Sequence, residues 1–428
     1  MSILLSVALA LFAGLMVTRI FKLFKLNFPD VTAFLIAGLL IGPYAIGRLG
    51  IPGIGFDSYA SVESVSIISK AALGFIAFAI GNEFRLSQLK HTGRQALVIG
   101  IFQAVTATLV VDAVLLGIYF IFGKDVITPP IAITLGAIAA ATAPAATLMV
   151  VRQYKAKGPL TDLLLPIVAL DDAVGLVLFA ISFGIAQALI GGSISFVTVI
   201  INPIIEIISS LILGSVMGWL LTKMEKLFFS NSNRLSMTIA FVLVTIALSS
   251  LTFTFGEVKI GFSSLLVCMM LGTIFCNLCH FSEDLMSRAD KWTAPLFALF
   301  FVLSGAELEL SVFSDISVII IGLVYILFRS LGKYFGAYFS SKWTRCSRNV
   351  QNHLGITLLP QAGVALGMCV TASTLGTHEG MMIRNIVLFG VFIYELIGPM
   401  MTKWSLEKAG EIGPVDPEKL DHNRFVNK

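Results

Sequence analysis

Apolar stretches of roughly twenty residues recur along the whole chain, which is the length that crosses a bilayer as a helix. They lie near 2–24, 28–47, 63–83, 92–121, 128–151, 161–189, 196–222, 235–255, 259–280, 293–312, 316–340, 350–374 and 383–404, thirteen in all. Two are interrupted. The fifth is broken by Thr142-Ala143-Pro144, and the twelfth by Pro360-Gln361-Ala362-Gly363. Proline removes a backbone donor and disrupts the preceding turn, and unwound backbone at membrane depth is tolerated only where it is buried in protein or lines a cavity. The pattern predicts an all-α polytopic membrane protein with thirteen transmembrane helices, two of them discontinuous.

Lysine and arginine test the count. Of the 29, 22 fall in loops after odd-numbered spans or in the C-terminal tail, four fall in the opposite loops, and Lys70, Arg329 and Lys333 lie within spans. Such a bias predicts an N-terminus outside and a C-terminus in the cytoplasm. An even number of spans would destroy the alternation. The chain also repeats: Gly81-Asn82-Glu83-Phe84-Arg85-Leu86-Ser87 recurs as Gly305-Ala306-Glu307-Leu308-Glu309-Leu310-Ser311, seven spans later. An odd separation inverts the second copy, and inverted repeats place a transporter's binding site at the midplane between them. In this register Asp171 corresponds to Glu395.

Composition agrees, with 57% hydrophobic residues, 13% charged and a mean hydropathy of +0.93. The first apolar run leads into Arg19, Lys22 and Lys25 without a small-residue cleavage site, so it is expected to remain as a span. The net charge of +4 reflects cytoplasmic loops, not a nucleic-acid partner. Cys276 to His280 matches the spacing of c-type haem attachment. Its expected place at a cytoplasmic helix end favours packing instead. Residues after Trp404 are expected to form a frayed tail, and no soluble domain is expected.

At about 1.5 Å of rise per residue, ten to thirteen residues into a span reaches the bilayer centre. Asp171 and Asp172, Thr142, Arg329, Gln361 and Glu395 all fall close to that depth, with Lys333 one turn beyond. Intramembrane ionisable residues mark ion pathways by default. Neighbouring helix residues point about 100° apart, so one cation cannot easily neutralise both aspartates. The expected arrangement gives one to a buried cation and the other to an aqueous cavity. For Arg329 and Glu395 a structural salt bridge is the preferred reading. Asp112 is expected to be solvated near the outer surface, Glu83 and Glu307 to cap or face the surface, and Lys70 and Glu206 receive no role.

These residues resemble the monovalent cation:proton antiporter superfamily with the NhaA fold. The resemblance rests on Gly38-Leu-Leu-Ile-Gly42-Pro43, the broken Thr142-Ala143-Pro144 span, the Asp171-Asp172 pair and Arg329-Ser-Leu-Gly-Lys333, and it covers essentially all thirteen spans. It implies Asp172 as the main ion and proton carrier, Asp171 as the partner of Lys333, and Thr142 as a cavity-lining group where the two discontinuous helices cross, so that Na+ would sit at Asp172, Asp171 and Thr142. Lys333, Arg329 and Glu395 would serve coupling and charge compensation, and Ala143, Pro144, Pro360, Gln361 and Gly363 the helix breaks. It implies panel helices in 1–90 and 234–314, core helices in 91–190 and 315–404, a linker helix in 191–233, a cytoplasmic tail in 405–428, and a homodimer. Where the family usually has a polar residue, this chain has Ala143, which bears on cation selectivity.

The function expected is electrogenic exchange of Na+ or Li+ for H+ by alternating access, with no cofactor, in a cell membrane that is expected to be a bacterial inner membrane. K+/H+ exchange on the same scaffold, a sodium-coupled symporter and a non-transporting cation sensor are the alternatives. An enzyme is not expected, since no nucleophile is paired with a base and no metal cluster appears.

Overall fold

The fold is described by a computed structural model that covers residues 3–412, apart from 27, 50, 52–53, 83, 85, 125, 191–200, 256–257, 309, 311–312, 314 and 373–374. Four members of the repeated motif, Glu83, Arg85, Glu309 and Ser311, and the tail beyond Ile412 lie outside the described residues. The chain is mostly helical: α1 (Ile3–Leu23), α2 (Asp30–Ile41), α3 (Tyr59–Glu63), α4 (Ser66–Asn82), α5 (Leu86–Phe122), α6 (Pro129–Ala139), α7 (Pro144–Gln153), α8 (Pro159–Leu189), α9 (Asn202–Glu225), α10 (Asn231–Ser249), α11 (Ser264–Leu278), α12 (Ser282–Ala306), α13 (Ile316–Trp343), α14 (Arg348–Thr357), α15 (Gly363–Ala372) and α16 (Thr377–Lys408). A short antiparallel hairpin, Phe253–Phe255 with Val258–Ile260, joins α10 to α11.

Nine helical stretches among the described residues are long and apolar enough to cross a membrane, and three shorter apolar helices accompany them. All thirteen stretches read from the sequence overlie a helix or a broken pair: the fifth is α6 with α7, the twelfth α14 with α15. This is a multi-pass membrane protein.

Three apolar groupings organise the helices. One gathers buried side chains of α1, α2, α4, α11 and α12 with residues of α7, α9 and α10 and with Leu165 and Ala169 of α8. A second joins α5, α6, α13, α15 and α16 with Phe179 and Ala186 of α8. A third joins residues of α5, α7, α13, α14 and α16 to the first turns of α8, from Leu160 to Val168. The helix carrying Asp171-Asp172 therefore runs where the three meet.

In lipid, helices gain little from hiding apolar surface and rely on close backbone approach. A Cβ at Gly38 would collide with the Val302 carbonyl oxygen and one at Gly305 with that of Leu35, so α2 and α12 meet glycine to backbone from both sides. We expect Gly38→Ala to cost about 1–3 kcal/mol by overpacking and to lower the melting temperature of the detergent-purified protein. Gly117→Ala, at a position with nothing within 4 Å, should leave it unchanged.

The residues just past the last apolar stretch, up to Ile412, are more ordered than their hydropathy suggests. Helix α16 runs on past Trp404 to Lys408. Glu411 then accepts hydrogen bonds from the Leu160 and Thr161 backbone amides, at 2.6 and 2.8 Å, and from the Thr161 hydroxyl at 2.6 Å. A carboxylate at a helix N-terminus satisfies orphan amides and complements the dipole. The residues expected to fray thus fasten α16 to the start of α8 as far as Ile412.

Candidate functional site

Two helix breaks meet. Helix α6 ends at Ala139 and α7 restarts at Pro144, the residue type best suited to a first helical position. Helix α14 ends at Thr357 and α15 restarts at Gly363. The Ala143 amide donates to the Pro360 carbonyl at 2.8 Å, so the interruptions are joined backbone to backbone. Gln361 fastens them again: its Nε2 donates to the Ile138 carbonyl and to the Tyr325 hydroxyl, both at 2.9 Å.

Every broken helix leaves carbonyls without intrahelical partners, and α13 supplies the donors. Arg329 donates through Nε to Ala139 O at 3.0 Å, through Nη2 to Ala141 O at 2.6 Å and through Nη1 to Leu359 O at 2.7 Å. Its guanidinium also lies 4.4 Å from the Tyr394 ring centroid. One turn along, Lys333 donates to Ala140 O at 2.5 Å, to Thr142 Oγ1 at 2.8 Å and to Asp171 Oδ2 at 2.9 Å. Two cations therefore sit at the negative dipole ends of α6 and α14, where they are favoured.

The aspartates differ sharply. Asp171 is fully buried, forms the ion pair with Lys333, and accepts from the Thr142 hydroxyl at 2.5 Å and from Gln103 Nε2 on its other oxygen. Asp172 is 2% exposed, and neither of its carboxylate oxygens has a hydrogen-bond partner among the described residues. One carboxylate is fully bonded and its neighbour is bare. Such a pair presents a charged acceptor that a dehydrated cation or a proton can satisfy.

A model of the transmembrane sodium/hydrogen exchanger family matches residues 7–408. The chain belongs to that family. The family's members are cation/proton antiporters, which are transporters and not enzymes. Among solved structures, the exchanger is similar to the sodium proton antiporter MjNhaP1 from Methanocaldococcus jannaschii. In the structure at pH 8 the identity is 22% and the TM-score 0.65, over 95% of this chain and 97% of that one. An electron-microscopy structure of the same antiporter gives 19% and 0.74, over 97% and 100%. At these identities the likeness concerns the fold alone. No match was found among curated proteins.

In the exchanger, Asp171, Asp172, Thr142, Lys333, Arg329, Ala143, Pro144, Pro360, Gln361 and Gly363 converge on the two breaks, whereas Glu395 stands apart. The Arg329–Glu395 salt bridge expected from the sequence is absent: Arg329 spends its donors on carbonyls, and Glu395, 8% exposed, has no ion pair among the described residues. Asp112 is not freely solvated either. Its Oδ1 is buried without a partner, and a Cβ at Gly136 would collide with it. Lys70 lies exposed, and Glu206 is half-buried within electrostatic reach of Lys259. Cys276 and Cys279 are buried, the former donating to the Phe84 carbonyl at 3.5 Å, so the apparent haem motif packs α11 against the end of α4.

Sequence reasoning missed Gln103, Tyr325 and Tyr394. Gln103 lies eleven residues into the fourth span, at the depth that singled out Thr142 and Gln361. The same depth rule, applied to every polar side chain, would have found it.

Proposed function

We propose that the protein exchanges Na+ or Li+ for H+ across the membrane by alternating access. The observation that carries the reading is the bare Asp172 beside a fully bonded Asp171, where two broken helices meet. A cation entering this place finds a charged acceptor without competing donors. As it binds, Lys333 gives up Asp171 and Thr142, whose oxygens then complete the site with Asp172. Cation and protons thus exclude one another.

Movement of α5–α8 and α13–α16 against α1–α4 and α10–α12, with α9 between, would expose Asp172 to each side in turn. The meeting of three apolar groupings along α8, one centred on α1, α2, α4, α11 and α12, supports this division. Thirteen crossings, with the N-terminus outside and the C-terminus in the cytoplasm, follow from the loop charges. A homodimer and a bacterial inner membrane complete the reading.

Two protons entering for one cation leaving would carry one net charge inward. At about 2.3 kcal/mol per charge per 100 mV and ~1.4 kcal/mol per decade, that drives roughly 1.7 decades of sodium gradient. Solid-supported-membrane currents from proteoliposomes, under sodium, lithium and potassium jumps at several pH values, test this. Sodium- and lithium-driven currents support the proposal. A potassium-selective response would reassign the cation, as Ala143, which brings no side-chain oxygen to the start of α7, would favour. Silence to all three would point to a symporter or a sensor.

Lys333 carries the second exchanged charge in this scheme. We expect Lys333→Gln to abolish the current while a pH-sensitive dye still reports cation-driven proton flux. Current persisting in that variant would remove Lys333 from the coupling.

A further inference from the structure

A census of donors and acceptors around Asp171-Asp172 leaves an imbalance. The three ammonium hydrogens of Lys333 are committed to Ala140 O, Thr142 Oγ1 and Asp171 Oδ2. The Thr142 hydroxyl is committed to Asp171, Arg329 to three carbonyls, and the Gln361 amide to Ile138 and Tyr325. Gln103 donates through Nε2 to Asp171 Oδ1 and, at 2.9 Å, to the Gly100 carbonyl. On the acceptor side, both Asp172 oxygens and Gln103 Oε1 are buried with no partner among the described residues. All the orphans are oxygens.

Buried polar atoms in native proteins are almost always hydrogen-bonded, and an orphan calls for a water, an ion or a functional reason. Oxygen orphans beside spent donors cannot satisfy one another while Asp172 is ionised. What each of them accepts is a positive centre without lone pairs, which is the nature of a dehydrated monovalent cation. Carbonyl-type oxygens replace an ion's hydration shell in selectivity filters on the same principle.

We infer that Gln103 is a specificity-determining residue of the exchanger: its carbonyl oxygen is a neutral ligand for the transported alkali cation, supplying an oxygen that the Ala143 side chain lacks. The inference rests on the reading of Asp172 as the exchange group.

Rigidity gives a neutral ligand its power to discriminate ions by size, and Gln103 is held rigidly. The residue is fully buried. Its amide nitrogen is fixed at two acceptors, and Gly336 of α13 brings backbone against its stem, so a Cβ there would lie 2.7 Å from Gln103 Cα and 3.2 Å from its Cβ. The carbonyl oxygen is thereby held in place opposite its own amide nitrogen. Asp171 provides the link between the two halves of the site, since the donor that fixes it belongs to the side chain that carries the orphan oxygen.

The test compares Gln103→Met, which keeps length and removes both polar atoms, with the isosteric Gln103→Glu, which keeps oxygen and removes the amide donor. Half-saturating concentrations for Li+, Na+ and K+ are measured in proteoliposomes, with Asp172→Asn alongside. The expected result is that Gln103→Met raises the sodium value about tenfold, ~1.4 kcal/mol, and alters the ratios among the three cations, whereas Gln103→Glu does not raise it. If Gln103 served only to hold Asp171, both variants would be impaired alike, and the inference would be overturned. Unchanged ratios in Gln103→Met would also overturn it, an ordered water then being the partner of Oε1. Should Asp172→Asn bind and transport with wild-type constants, the reading of the site itself fails. Loss of transport there, with Gln103→Met behaving as wild type, removes only the role of Gln103.

Discussion

Asp172→Asn should abolish cation-driven proton flux in proteoliposomes while raising the melting temperature of the purified protein. Both effects have the same cause. Asp172 is 2% exposed and neither oxygen has a hydrogen-bond partner among the described residues, so ionising it costs desolvation that no hydrogen bond offsets. Asparagine has the same shape and no charge, which removes most of that penalty. Transport loses what stability gains. At an effective dielectric constant of 20, a carboxylate ~2.4 Å from a monovalent cation contributes about 7 kcal/mol, and losing even half of this weakens binding by roughly 2.5 decades. The amide also cannot take up a proton in exchange. A variant with lower thermal stability and residual flux would mean that Asp172 is a structural residue. Asp171→Asn should differ in kind, because it strands Lys333 among carbonyls and destabilises the protein.

Charge inside an apolar run is the loudest signal a sequence carries, and it located Asp171, Asp172, Arg329 and Lys333 without any geometry. Prolines at matching places did the same for the two breaks. Pairings were less legible. A sequence displays side-chain charges and hides backbone carbonyls, so a carboxylate, Glu395, is the partner it offers Arg329. The breaks at Ala139–Ala141 and Leu359 created stronger competitors at closer range. Gln103 escaped for a related reason: a neutral amide within an apolar helix has no necessary role, and only its contact with Asp171 provides one. Glu411 is 250 residues from Thr161, whose amide it caps, and no local pattern announces such a contact. Hydropathy ended the last span at Trp404, whereas α16 continues to Lys408 because its later turns are amphipathic and rest on α14.

Arg329 provides the largest expected effect on folding. Arg329→Met removes the donors to three carbonyls at the ends of α6 and α14, each of which then costs about 1–3 kcal/mol if left unpaired in a dry interior. The sum rivals the whole stability of an ordinary domain. The loss of contact with the Tyr394 ring adds to it. We expect this variant to aggregate or to melt far below the parent in fluorescence-detected size-exclusion chromatography. Arg329→Lys should be intermediate: a point charge on a flexible stem reproduces the attraction to the dipole ends but not a planar fork that reaches Ala139, Ala141 and Leu359 at once. The decisive contrast is Glu395→Gln. If Arg329 were neutralised by Glu395, removing either charge would be equally harmful. With Arg329 held by carbonyls, Glu395→Gln should leave the melting temperature near that of the parent, and comparable destabilisation in the two variants would restore the ion pair.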